Sequence, residues 1–197
     1  MNKNAERIRD AVIAYQGVRK TADEKIKYIR DTYGDEAGDA EARIQGKRLE
    51  QERAKAEDAI KTAYRDGHMA ASGWGTLDGS KLTDDTKLLD AGLVDAEAFN
   101  GMKVRYKDNS TMLAALKQYG DKQNAAAIKD GGLPAFETRD IPTGETRMKK
   151  WDNLQAQALD MLDALDGTGQ HSNPDDWGAA FTKAAMPEML EHFGEDL

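Results

Sequence analysis

Few side chains in this sequence have the types and spacing that catalysis or metal binding requires. The three histidines are His68, His171 and His192, and none has a second histidine three or four residues away. A helical zinc site needs such a pair on one face. The chain contains no cysteine, which excludes disulfides and thiolate ligands.

Acidic pairs and glycine-rich segments also lack the patterns of known chemistry. Two adjacent aspartate pairs occur at positions 84–85 and 175–176, and adjacent helical positions do not face one another. Each pair fits the first turn of a helix, where carboxylates are favourable. The glycine-flanked segments at 73–75 and 167–169 lack the lysine of a phosphate-binding loop. The sequence therefore predicts no catalytic residue, no metal, no cofactor and a protein that is not an enzyme.

The strongest structural signal is a helical seam between residues 4 and 33. Its apolar residues recur at alternating steps of three and four, the a/d spacing of a coiled coil. Arg19 occupies the one seam position that is not apolar, and Gly34 is a natural helix end. A weaker seam, interrupted by Arg53, predicts a second helix from about 40 to 64. The apolar members of the first seam are Ala5, Ile8, Val12, Tyr15, Ala22, Ile26, Ile29 and Tyr33.

Two such helices joined by about six residues most simply form an antiparallel hairpin. The alternative is one long helix with a break, which dimerises with a second copy. Arg19 and Arg53 lie on the two seams, and burying a charge is costly unless the charge is paired. We therefore expect the hairpin to be completed by the C-terminal body, by another subunit or by a foreign partner.

The remainder of the chain predicts an all-α fold with three parts. Residues 1–65 form the coiled-coil hairpin, residues 66–80 a glycine-rich linker, and residues 81–197 a compact bundle of shorter helices. Within the bundle we expect helices over 84–91 and 95–102, a helix after Asn109 that Gly120 ends or bends, and a long helix after Thr143. Alternation of apolar and charged residues predicts a short extended piece at 102–106.

Aromatic residues outside the seam are candidate binding anchors. Trp74 lies between two glycines and either docks against backbone or contacts a partner. Trp177 and Phe181 lie in a tail, residues 166–197, with seven acidic residues and one lysine. Such a tail fits a basic protein surface or an ordinary amphipathic helix. The candidate partner-binding residues are Ile8, Val12, Tyr15, Arg19, Ile26, Ile29, Trp74, Trp177 and Phe181.

Charge is distributed unevenly along the chain. The net charge is −8; residues 1–65 carry +2 and residues 66–197 carry −10. An acidic body disfavours direct binding to nucleic acid or anionic lipid, fits a basic partner, and is equally explained by solubility. No apolar run reaches the roughly 18 residues of a membrane span, and the first residues do not resemble a secretory signal. We expect a location in the host-cell cytoplasm or in a virion.

The combination of acidity, lack of cysteine, a charged N-terminal coiled coil and a helical tail resembles, in general style, small helical proteins of bacteriophages and prophages. That resemblance implies a non-catalytic protein–protein interaction protein, a scaffold-like structural or assembly component that binds a protein partner or itself as a homo-oligomer. The alternative that it implies is an acidic inhibitor of a host nucleic-acid-binding defence protein, similar to anti-CRISPR proteins.

Overall fold

A computed structural model describes residues 2–167, 186 and 188–194. The described residues contain no strand, which confirms the all-α fold class with its N-terminal hairpin. Six α-helices account for most of them, together with a 3-10 turn at Gly79–Lys81 and a short helical stretch at 188–191. In chain order the helices are α1 (Lys3–Tyr33), α2 (Asp35–Ser72), α3 (Asp85–Asp90), α4 (Ala96–Arg105), α5 (Ser110–Lys129) and α6 (Gly144–Asp166).

The helices belong to two compact units. The hairpin unit comprises Met1–Met69 and Lys149–Leu197, and the middle unit comprises Ala70–Met148. These units differ in composition from the predicted domains 1–65 and 81–197, because most of α6 belongs to the hairpin unit. The difference follows from packing, since the apolar face of α6 contacts the hairpin, as described below.

The turn between α1 and α2 is a single residue. Gly34 ends α1 with φ of 91°, a left-handed conformation that favours glycine, and α2 begins at Asp35. The predicted turn-rich interruption over 34–39 was therefore wrong. Gly38 lies inside α2, where a Cβ would come within 2.7 Å of the Arg30 Cβ. This glycine permits close approach of the two helices and does not form a turn.

Ion pairs across the hairpin establish its antiparallel direction. Arg30 contacts Asp39 at 2.8 Å, Lys25 contacts Glu41 at 2.7 Å, and Arg7 contacts Asp66 at 3.1 Å. Residue numbers fall along α1 as they rise along α2. The predicted antiparallel hairpin is thus confirmed, although α2 extends to Ser72, beyond the predicted end near 64.

Helix α6 packs along the hairpin, antiparallel to α2. At one end the Tyr64 hydroxyl donates to Asp152 at 2.7 Å, and at the other Arg53 donates to Asp166 at 2.5 Å. Between α2 and α6 the Trp151 ring lies directly over Gly67, where a Cβ would overlap the ring. Glycine at this position therefore serves helix packing, and α2 continues through the first residues of the predicted 66–80 linker.

The core of the hairpin unit draws on all three long helices. Each presents an apolar stripe at helical spacing, and burying a large aliphatic side chain contributes about 1.5–3 kcal/mol. Apolar residues at 186, 190 and 193 are buried as well. The most completely buried side chains of this unit are Ala5, Ile8, Val12, Ile60, Ala63, Ala158, Met161, Leu162 and Met186.

In the middle unit, α5 is the central helix and packs against α3 and α4. It continues through Gly120, so the predicted end or bend there was wrong; a Cβ on Gly120 would come within 3.0 Å of the Phe99 ring. The predicted extended piece at 102–106 was also wrong, because α4 continues to Arg105 and buries Met102. The core residues are Leu89, Val94, Phe99, Met102, Leu113, Leu116, Tyr119 and Ile141.

Two glycines of α2 give a matched test of this packing. Gly67→Ala should lower stability by about 1–2 kcal/mol, because overpacking costs about 1–3 kcal/mol and exceeds the helix-propensity gain of about 1 kcal/mol. Gly46→Ala has nothing within 4 Å of its new Cβ and should raise stability by up to about 1 kcal/mol. Urea unfolding followed by circular dichroism measures both, and equal responses would contradict the packing of Trp151 on Gly67.

Candidate interaction surface

A cluster of opposite charges joins the hairpin to the end of α6. The Asp166 carboxylate accepts hydrogen bonds from the Tyr15 hydroxyl, from Arg19 at 3.0 Å and from Arg53 at 2.5 Å. Arg53 also donates to Asp163 and, at 3.0 Å, to Glu57. Both arginines that interrupt the predicted seams are therefore paired. Of the three expected ways to complete the hairpin, the structure uses the chain's own C-terminal part.

Burial and hydrogen bonds shift the pKa values in this cluster. Burial, followed by the bond to Asp166, raises the pKa of Tyr15 above its ordinary value. Burial alone would lower the pKa of Arg53, but its carboxylate partners outweigh that effect and raise the pKa. Hydrogen bonds from Arg53 and then Lys61 lower the pKa of Glu57. These contacts thus favour the charged forms of Arg53 and Glu57 and the neutral form of Tyr15.

The inner part of the predicted partner-binding seam is occupied within the chain. Ile8 and Val12 have no exposed surface and Tyr15 is nearly fully buried, while Arg19 is bonded to Asp166 and Asp23. These four candidate residues are structural members of the hairpin unit. A seam has the same spacing whether the helix that covers it comes from the same chain or from another.

Between Arg19 and Arg53, in the part of the hairpin that contains the turn, several apolar side chains are accessible. We name residues 20–50 the hairpin end. Ile26 and Ile29, both predicted partner contacts, are half-buried there, and Tyr28, Tyr33 and Ile44 are 62%, 66% and 61% exposed. The structure thus brings two predicted contacts together with three residues that the prediction did not select.

Sequence reasoning missed Tyr28 and Ile44 because both lie off the predicted seams. The available signal was an apolar side chain on a helical face otherwise made of charged residues. Tyr33 belongs to the seam but was not selected, since it lies at the end of α1. Salt bridges between Lys25 and Glu41 and between Arg30 and Asp39 hold this part of the hairpin together.

Trp74 is docked within the middle unit. Its half-buried ring packs against the apolar core of that unit, and the Arg147 guanidinium lies 3.7 Å from the ring centroid. Burial lowers the pKa of Arg147. Of the two alternatives for Trp74, the structure favours docking, with a cation–π contact on one ring face. Trp177 and Phe181 lie outside the described residues.

A groove of about 390 Å³ lies in the middle unit beside α3 and α5. Leu77 and Leu82, which are 64% and 44% exposed, form part of its wall. Asp90 and Lys122 also line it, so its charges are balanced and indicate no particular ligand.

Residues 2–167, 186 and 188–194 are the ranges to which the following statements on metal-binding clusters and membrane-spanning helices apply. No three histidine, aspartate or glutamate side chains in these ranges are placed to hold a metal ion. None of the helices found there combines the length and apolar character needed to cross a membrane.

Comparison with known proteins yields no relative. No protein-family model matches the chain, and no match is found among curated proteins or solved structures. Function is therefore inferred from the geometry of the hairpin end.

Removal of Arg53 tests the charge cluster. Arg53→Met should destabilise the fold by about 1–3 kcal/mol, because Asp163 loses the donor described for it and Asp166 and Glu57 each lose one of theirs. Lys55→Met is the matched control: Lys55 is mostly exposed and, within the described part of the chain, pairs only with Glu52, so its loss should change stability by less than about 1 kcal/mol. Urea unfolding at neutral pH compares them, and similar losses would contradict a special role for Arg53.

The lowered pKa of Glu57 predicts that the free energy of unfolding depends on pH in the acidic range. Its contribution is complete above the ordinary glutamate pKa of about 4.3 and is lost as the pH falls through the lower folded-state pKa. Glu57→Gln should therefore reduce the loss of stability between about pH 5 and pH 3. The free energy of unfolding across this range measures the effect, and an unchanged slope would show that Glu57 does not contribute.

Proposed function

We propose that this protein is a non-catalytic protein–protein interaction module, a scaffold-like structural or assembly component that binds through the hairpin end. The observation that carries the proposal is the exposure of Tyr28, Tyr33 and Ile44 beside the half-buried Ile26 and Ile29. Isolated exposed apolar residues are normal on a surface. Here five apolar residues lie in the hairpin end, on two helices joined by a one-residue turn.

The chemistry of these residues suits a protein partner. Tyrosine is enriched at the centres of interfaces, because its ring provides contact area and its hydroxyl can still find a hydrogen-bond partner. Surrounding charges at the hairpin end supply the polar rim that interfaces share. The α-helical scaffold holds these side chains on rigid backbone, which reduces the entropy lost on binding.

The inhibitor alternative depends on other parts of the chain. Its motivation is the net charge of −10 on residues 66–197, part of which lies outside the described residues. That alternative stays a prediction, as do the phage origin and the location in host cytoplasm or virion.

Site-specific photocrosslinking in cells tests the proposed function. A photoreactive amino acid at Ile44 should give discrete crosslinked protein species, because this side chain would lie in the interface. The matched control is Ile128 on α5, another helical isoleucine, which is 59% exposed against 61% for Ile44. It should give no discrete product.

A second part of the experiment combines the substitution Tyr28→Arg with the photoreactive amino acid at position 44 in one protein. A large positively charged side chain beside the interface should reduce the crosslinked product at least about tenfold, as loss of an interface anchor does. Equal products at 44 and 128, or products unaffected by Tyr28→Arg, would overturn the proposal.

A further inference from the structure

Two groups of like charge occur among the charged residues of the hairpin end. Around the turn lies an acidic group, and on the following turns of α2 lies a basic group. Within α2, Arg43 and Lys47 share one face because they are four residues apart, and Ile44 and Arg48 share the adjacent face. The acidic group comprises Asp31, Asp35, Glu36 and Asp39, and the basic group comprises Arg43, Lys47 and Arg48.

Much of this charge is unpaired inside the chain. Arg30 contacts Asp35 at 3.7 Å and Asp39 at 2.8 Å, which leaves the acidic group with a net negative charge. In the described ranges, no ion pair or side-chain hydrogen bond joins Asp31, Glu36 or any member of the basic group to another residue. Two neighbouring patches of opposite sign are therefore available to an external partner.

The spacing of the patches allows them to pair with copies of themselves. Glu36 and Lys47 are eleven residues apart on α2, a distance of about 16 Å along the helix. A two-fold axis between them would place the acidic group of one copy on the basic group of the other, and the reverse. This mutual pairing is what an isologous interface requires.

Apolar residues lie where such an axis would pass. Ile44 is within one turn of the midpoint between the two charge groups, so the axis brings it close to its counterpart. Tyr28, one turn from Lys25, lies on the helix opposite, since Lys25 pairs with Glu41. An apolar centre flanked by complementary charges is the usual organisation of a specific interface.

We infer that the partner of the hairpin end is a second copy of this chain, bound antiparallel about a two-fold axis near Ile44. This inference rests on the proposed function and names its partner. A purely basic or purely acidic partner would repel one of the two groups, whereas a second copy supplies both signs at the matching spacing. The arrangement of charge therefore favours a second copy as the partner and an antiparallel orientation of the two copies.

Charge exchange in the full chain, followed by sedimentation, tests the dimer. The acid-swapped variant carries Asp31→Lys and Glu36→Lys, and the base-swapped variant carries Arg43→Glu and Lys47→Glu. Each alone should weaken self-association at least about tenfold, because like charges then face each other. An equimolar mixture of the two should form a heterodimer, since each exchanged residue then faces a residue of opposite sign.

Two controls accompany the exchange. Lys122→Glu with Lys129→Glu makes the same change of charge in the middle unit and should leave self-association unchanged. Raising the salt from about 0.1 M to about 1 M shortens the screening length from about 10 Å to about 3 Å and should weaken the wild-type dimer. Circular dichroism establishes that each variant is folded.

The outcomes separate this inference from the proposed function. A wild-type protein that is monomeric at low salt, or a dimer that ignores both swaps and is not restored in the mixture, would overturn the inference. If discrete crosslinks at Ile44 persist in that case and contain only another protein, the proposed function stands while the second copy is excluded. A crosslinked homodimer at Ile44 supports both.

Discussion

The Asp166 carboxylate is the interaction on which the hairpin unit depends. It lies at the end of α6 and binds Tyr15 and Arg19 from α1 and Arg53 from α2. A carboxylate at a helix C-terminus is unfavourable by itself, and a guanidinium on a buried seam is also unfavourable without a partner. The pairing of the Asp166 carboxylate with the guanidinium groups offsets both unfavourable terms. A shift of α6 by one turn would separate Asp166 from all three of these donors, so the cluster favours one register of the three helices.

The bounds of α1 could be predicted from its seam, but the extent of α2 could not. Gly38 falls in the predicted connection between the helices and Gly67 in the predicted linker, whereas both lie within α2 and permit a close approach, to Arg30 and to Trp151 respectively. A glycine has the same appearance in sequence whether it provides backbone freedom or removes a side chain. The distinction depends on which residue lies opposite, and Trp151 is far from Gly67 in the chain.

The candidate site shows the same limit. Sequence reasoning identified Arg19 and Arg53 as charges that need partners, which follows from the cost of burial. It could not choose among a C-terminal segment, a second subunit and a foreign partner, because Asp166 is separated from Arg53 by more than a hundred residues. The seam residues Ile8 and Val12 were therefore equally compatible with an internal core and with an external interface.

The apolar seam of α1 is therefore buried to different degrees along the helix. As far as Arg19 it is covered by α6, and its arginine is neutralised by a carboxylate of the same chain. Beyond that point Ile26 and Ile29 are only half-buried, and the basic side chains of Arg43 and Lys47 have no acidic partner in the described part of the chain. Ala22 is still buried beyond Arg19, and Lys25 and Arg30 are paired with α2, so burial and charge pairing are reduced there without being lost. The proposed external partner would cover the exposed apolar residues of the hairpin end and pair with Arg43 and Lys47.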